Sequence, residues 1–118
     1  MTALLMVAAG GALGSVLRYL CGFLVQQPWA TLTVNLLGSF LIGTCALYFA
    51  SGENPLLRLL LVTGILGGFT TFSAFSLDSL QLLQLGEWGR ASLYIFGNVV
   101  GGVLACWCGF LLAGLVKV

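Results

Sequence analysis

Histidine is missing from this sequence of 118 residues, and charge is scarce: four Lys or Arg and three Asp or Glu in all. Without His, the chain lacks the commonest general base and a leading metal ligand. No paired carboxylates sit inside an apolar run either, so no acid–base or nucleophilic constellation can be assembled, which argues against an enzyme. Arg18, Arg58, Arg90 and Lys117 lie far apart and the net charge is only +1, so there is no basic patch for nucleic acid. The 6% of charged residues is far below what a water-facing surface carries, about 25% in soluble domains. The N-terminus lacks the charged region and cleavage site of a signal peptide, so the first apolar run reads as a mature span. Cys21, Cys45, Cys106 and Cys108 all fall in apolar runs. They read as small apolar fillers, with no spacing suited to a disulfide or zinc framework.

What remains is mostly apolar: 60% of residues are hydrophobic and the mean hydropathy is +1.14. A membrane-crossing helix takes about 20 apolar residues, and the chain accommodates four. The expected architecture is an all-α integral membrane protein, one membrane domain over residues 1–118 in the lipid bilayer, with spans near 2–25, 30–50, 57–85 and 91–116. Short polar segments separate them, among them Ser51-Gly52-Glu53-Asn54-Pro55 and Gly86-Glu87-Trp88-Gly89-Arg90.

The chain is organised around Gly64-Ile65-Leu66-Gly67-Gly68-Phe69-Thr70-Thr71-Phe72-Ser73-Ala74-Phe75-Ser76, in the middle of the third run. Glycine weakens a helix by roughly 1 kcal/mol relative to Ala. One reading is therefore a third helix broken near Gly67–Thr71. Broken helix at membrane depth is tolerated only where it is buried in protein or lines a wet cavity, and the carbonyls it releases are natural cation ligands. The other reading is a continuous helix that uses small residues for close packing. Composition leaves the two open.

The other spans carry isolated polar groups. In span one, Gly10, Gly14, Arg18 and Gly22 recur every four residues and share one face. An ionisable group inside a span is costly and by default functional. Arg18 either draws an anion toward a pore mouth, or it snorkels to the interface or bonds backbone carbonyls. In span two, Thr31, Asn35 and Ser39 form a polar line at helical spacing. Asn35 reads as a donor offered to a dehydrated anion, against the plainer reading of an interhelical hydrogen bond worth about 0.6–2 kcal/mol. Asp78 follows the third-span glycines and reads as structural. In span four, Tyr94, Asn98 and Gly102 share a face, and Gly97 and Gly101 make a second close-packing pair. Cations are nearly balanced between the two sides, so the positive-inside bias is weak. A small protein without that bias can insert both ways, and two oppositely oriented copies are expected to pair through their small-residue faces.

Gly67-Gly68-Phe69-Thr70-Thr71-Phe72-Ser73-Ala74-Phe75-Ser76 closely resembles the signature of the CrcB/Fluc fluoride channels. The resemblance continues in Gly11-Ala12-Leu13-Gly14-Ser15-Val16-Leu17-Arg18-Tyr19 and in Thr31-Leu32-Thr33-Val34-Asn35-Leu36-Leu37-Gly38, and it covers essentially the whole chain. It implies an antiparallel, dual-topology homodimer in the bacterial cytoplasmic (inner) membrane. Two pores per dimer would export fluoride passively. A structural sodium ion, not transported, would sit at the dimer centre on the backbone carbonyls of Gly67 and Thr70 from both subunits. The resemblance assigns Asn35, Phe72, Phe75, Tyr94 and Asn98 to the fluoride pore and Arg18 to its vestibule. Thr71 and Ser73 are additional hydroxyls for the pore.

The chemistry is compatible with that assignment. Fluoride is small and strongly hydrated, so a selective pore must replace its water with donors. Asn35 and the Tyr94 hydroxyl can donate, and an aromatic ring presents a positive edge. Phe72 and Phe75 taken by spacing alone read as ordinary apolar packing, and only the motif favours a pore role. The rival reading is a small proton-coupled exporter, which needs a titratable carboxylate deep in a span. Glu53 and Glu87 lie in loops and Asp78 looks peripheral, which argues against it.

Overall fold

A computed structural model describes residues 1–117. Val118, the last residue of the expected single domain, lies outside the described residues. Four helical stretches are long and apolar enough to cross a membrane: Thr2–Cys21, Trp29–Tyr48, Pro55–Gln84 and Trp88–Lys117. We label Thr2–Cys21 α1 and Trp29–Tyr48 α2. The third stretch contains α3, residues 55–69, and α4, Phe72–Gln84. The fourth, Trp88–Lys117, is α5.

The ends of these helices have local causes. Span one was expected to reach Val25, but α1 stops at Cys21. The Gly22 and Phe23 N–H groups turn back to the Tyr19 and Leu20 carbonyls at 3.1 Å each, a tightened last turn that ends α-geometry. α3 starts at Pro55, where a missing N–H is harmless. α4 ends at Gln84, and Gly86 just beyond it takes φ +73°. The Gly86 N–H donates to Leu83 and the Glu87 N–H to Leu82, at 3.1 and 3.0 Å, the paired bonds of a glycine-terminated helix. Large apolar side chains on every stretch are exposed, as lipid contact requires.

α1 packs along α3, α2 packs along the later turns of α5, and α4 meets the start of α5. These contacts explain most of the glycine pattern. A Cβ placed on Gly10 would lie 2.8 Å from the Gly64 Cα, and one on Gly68 would lie 2.6 Å from the Gly11 carbonyl oxygen. Gly14 abuts Ile65, and Gly43 and Gly109 mediate the contact of α2 with α5. Gly97 and Gly101 are covered by Leu32 and Leu36. These small-residue faces are therefore occupied inside one subunit. At Gly10, Gly14, Gly97 and Gly101 a neighbouring helix of the same subunit fills the space the glycine leaves, so these positions are closed to the expected pairing of two copies.

Gly10→Val should push α1 off α3. Overpacking of this kind costs about 1–3 kcal/mol, so the variant is expected to unfold at distinctly lower denaturant. Unchanged unfolding would mean that the α1–α3 contact is loose.

Two segments depart from α-geometry without leaving the helix: Leu59–Leu66 in α3 and Gly97–Gly101 in α5 are wound as wider π-turns. Such turns are uncommon and concentrate at functional sites. The first holds Gly64 at its closest approach to α1, and the second carries Asn98.

Candidate functional site

Gly67 and Gly68 are helical, with Gly67 at φ −63°, ψ −36°. Helical geometry stops two residues later. Thr70 is extended at φ −84°, ψ 157°, and Thr71 at φ −150°, ψ 122°, before α4 resumes at Phe72. The paired glycines serve proximity to α1, and the extended residues are the β-branched threonines.

Two N–H groups that a continuous α-helix would send back across these residues go elsewhere. An α-helix joins each N–H to the carbonyl four residues earlier, so the Thr71 N–H would serve Gly67 and the Ala74 N–H would serve Thr70. The Thr71 N–H instead donates to Asn35 Oδ1 at 2.8 Å. The Ala74 N–H donates to Thr71 Oγ1 at 3.1 Å, which makes Thr71 the N-cap of α4. The Gly67 and Thr70 carbonyls thereby lose their α-helical donors. The Gly68 carbonyl accepts from Arg18 Nε at 3.2 Å.

Asn35 closes the site from α2. Besides accepting the Thr71 N–H, it donates through Nδ2 to the Thr71 carbonyl at 3.0 Å and to Asn98 Oδ1 at 2.8 Å. Asn98 in turn donates to the Tyr94 carbonyl at 3.0 Å. An amide nitrogen has two protons, and both on Asn35 are engaged. Asn35 was expected to be an open donor. Here the Thr71 carbonyl and the buried Asn98 side chain claim its protons first, since unpaired polar groups are costly away from water.

Two recesses meet at this point. One, of about 430 Å³, is lined by Ser15, Arg18, Gln27, Thr31, Val34 and Thr71 among others. The second, of about 450 Å³, is lined by Asn35, Gly67, Thr70, Thr71, Phe72, Phe75 and Asn98 among others. Thr71 lines both. Phe72 is 77% exposed on the second recess, whereas Phe75 is buried at 8%. Their ring centroids are 5.4 Å apart at 61°, an edge-oriented pair. Arg18 bonds a backbone carbonyl and also lines the first recess. Among the described residues no carboxylate pairs with it.

Two expected pore groups stand apart from these recesses. Tyr94 is fully buried against Phe75 and Trp29, and its hydroxyl donates to Asp78 Oδ2 at 2.8 Å. That hydroxyl is spent on a carboxylate and lines neither recess. The physical reason is proximity: α4 packs on the start of α5, and a half-buried carboxylate outcompetes weaker acceptors. Ser73 is exposed, with its Oγ 3.4 Å from Thr71 Oγ1. Sequence reasoning missed Gln27, whose Oε1 accepts from Thr31 at the mouth of the first recess. Its place in a turn gave no signal. It also missed the Tyr94–Asp78 bond, although a lone carboxylate in one span and a tyrosine in the next were a usable cue.

Among the described residues, no group of three or more His, Cys, Asp or Glu side chains could hold a metal ion. The oxygen donors on offer at the site are carbonyls and hydroxyls.

Comparison with known proteins gives a consistent result. Residues 5–110 match the family model described as CrcB-like protein, Camphor Resistance (CrcB). The chain is 50% identical over 117 residues to a protein of Thermus thermophilus named fluoride-specific ion channel FluC, covering 93% of this chain and 94% of that one. It is 48% identical over 120 residues to the protein of the same name from Rhizobium meliloti (strain 1021), covering 95% and 96%.

Proposed function

The chain belongs to the CrcB-like family, and from that premise we propose that it is a fluoride-selective channel through which fluoride leaves the cytoplasm passively. The observation that carries this reading is the near-half identity, over almost the whole chain, to relatives named fluoride-specific ion channels. It is a multi-pass membrane protein of a channel family and not an enzyme. We place it in the cytoplasmic membrane of a bacterium, where outward leak of fluoride lowers a toxic concentration.

In this reading the third span is broken at Thr70–Thr71. Arg18 raises the local concentration of anions at the first recess. The ion then reaches the cluster of Asn35, Thr71 and Asn98. Because both Asn35 protons are engaged, the ion is received by exchange: it replaces Asn98 Oδ1 as acceptor of the Asn35 Nδ2 proton. The Thr71 hydroxyl, beside both recesses, is a further donor, and the Ser73 hydroxyl lies 3.4 Å behind it. Beyond it, the Phe72 and Phe75 ring edges offer weak positive potential. Conduction needs binding strong enough to admit the ion and weak enough to release it, and a track of neutral donors meets both demands. Tyr94 acts one step back, through its packing on Phe75 and the Asn98 bond to its carbonyl.

The family also implies a structural sodium ion, and the residues present fit it. Sodium takes oxygen ligands, and backbone carbonyls freed at a helix break are a known source of them. The Gly67 and Thr70 carbonyls have lost their α-helical donors to Asn35 and Thr71. Two carbonyls are few for one cation, so two antiparallel copies would complete the cage and supply two pores. The bound cation would add a fixed positive charge near the anion path.

Growth tests the export reading. Expression should restore growth in fluoride to a bacterium stripped of its own fluoride exporters, and continued sensitivity despite membrane insertion would count against it. The exporter alternative is tested by Asp78→Asn. The amide still accepts from Tyr94 but cannot titrate, so fluoride passage should survive without any dependence on a proton gradient. Loss of transport together with its proton dependence would favour the exporter.

A further inference from the structure

We propose that Asn35 and Thr71 are positioning residues for the cation cage: each holds one cage carbonyl free by intercepting the N–H that would otherwise close on it. The proposal rests on the sodium reading above and adds what keeps the two carbonyls available. The Asn35 amide pairs with Thr71 on both sides, Oδ1 to its N–H at 2.8 Å and Nδ2 to its carbonyl at 3.0 Å. These two hydrogen bonds together fix the extended conformation of Thr71. The Thr71 hydroxyl then takes the Ala74 N–H at 3.1 Å. Gly67 is released by a side chain from α2, and Thr70 by a side chain from its own neighbour.

Geometry links the pieces. Thr71 lines both recesses, and Asn35, Gly67 and Thr70 line the second. Asn35 thus belongs at once to the anion path and to the scaffold of the cage. Without it, the Thr71 N–H is free to return to Gly67 and helical geometry can propagate through the gap. Without the Thr71 hydroxyl, the Ala74 N–H can return to Thr70. Each loss makes sodium compete with an internal hydrogen bond for the same carbonyl oxygen.

The test titrates sodium chloride, with N-methylglucamine chloride holding ionic strength constant, into the purified full-length protein in detergent. The readout is the sodium concentration that gives half of the thermal stabilisation. A merely structural role would lower Tm in sodium-free buffer and leave this midpoint alone. Asn35→Ala and Thr71→Val should each raise the midpoint by about tenfold, the effect of one competing hydrogen bond. Thr71→Ser retains the acceptor for the Ala74 N–H and should restore the midpoint to that of the parent. If Asn35→Ala does not fold, the Thr71→Val and Thr71→Ser pair decides alone. A parent that responds to sodium beside variants with unchanged midpoints overturns the proposal and leaves the sodium reading standing. A parent with no response to sodium overturns both, and fluoride efflux from the same preparation would still report separately on the channel.

Discussion

Asn35→Asp is expected to reduce fluoride passage by about 100-fold or more, the effect of losing two hydrogen bonds in a low-dielectric site. The substitution changes the volume very little. It removes both Nδ2 protons, leaving the Thr71 carbonyl and Asn98 Oδ1 without their donor. In place of the donor stands a carboxylate that faces two oxygen acceptors and repels an arriving anion. The Thr71 N–H can still donate to the remaining oxygen, so the fold has a reason to persist. Initial efflux rates from liposomes, compared at equal protein content, measure the effect. Parent-like flux would remove Asn35 from the ion path.

Phe72→Ile is expected to slow fluoride by at least about tenfold, the change produced by some 1.4 kcal/mol at the barrier. Isoleucine keeps much of the apolar volume and lacks a positive ring edge. Phe72 is 77% exposed in the single chain, so the subunit's own packing depends on it little. Phe75 is the less informative target, because it is buried against Tyr94 and its truncation would disturb the small core with Leu82 and Ala91. Flux and dimer content should be measured together. A folded dimer with full flux would show that the ring edge contributes nothing.

Much of this architecture was legible in the sequence because lipid imposes simple demands. Long apolar runs with few charges had to be spanning helices, and Asn35 stood out because an isolated amide in such a run must find partners. What it would find was not legible. Spacing within α2 places Asn35 on a face but says nothing of Thr71, 36 residues away. The glycines were read as a surface for a second copy, and they are consumed by contacts of α1 with α3 and of α2 with α5. A close-packing motif reports that a backbone comes near and not whose backbone it is. Likewise the paired glycines suggested where the helix yields, yet Gly67 and Gly68 remain helical and the extended residues are Thr70 and Thr71. The deciding interactions are side chains from α2 and from Thr71 that capture N–H groups, a long-range competition invisible to local propensity. Tyr94 was placed on the ion path by the family resemblance, and the acceptor that captured its hydroxyl, Asp78, comes from the preceding helix.

The most direct measurement is anion efflux from liposomes reconstituted with the purified protein, followed with a fluoride electrode and a chloride electrode in parallel. The account predicts rapid fluoride release, no chloride release, and loss of fluoride release in protein prepared without sodium. Equal release of both anions, or no release from a verified dimer, would contradict a fluoride-selective channel built on these residues.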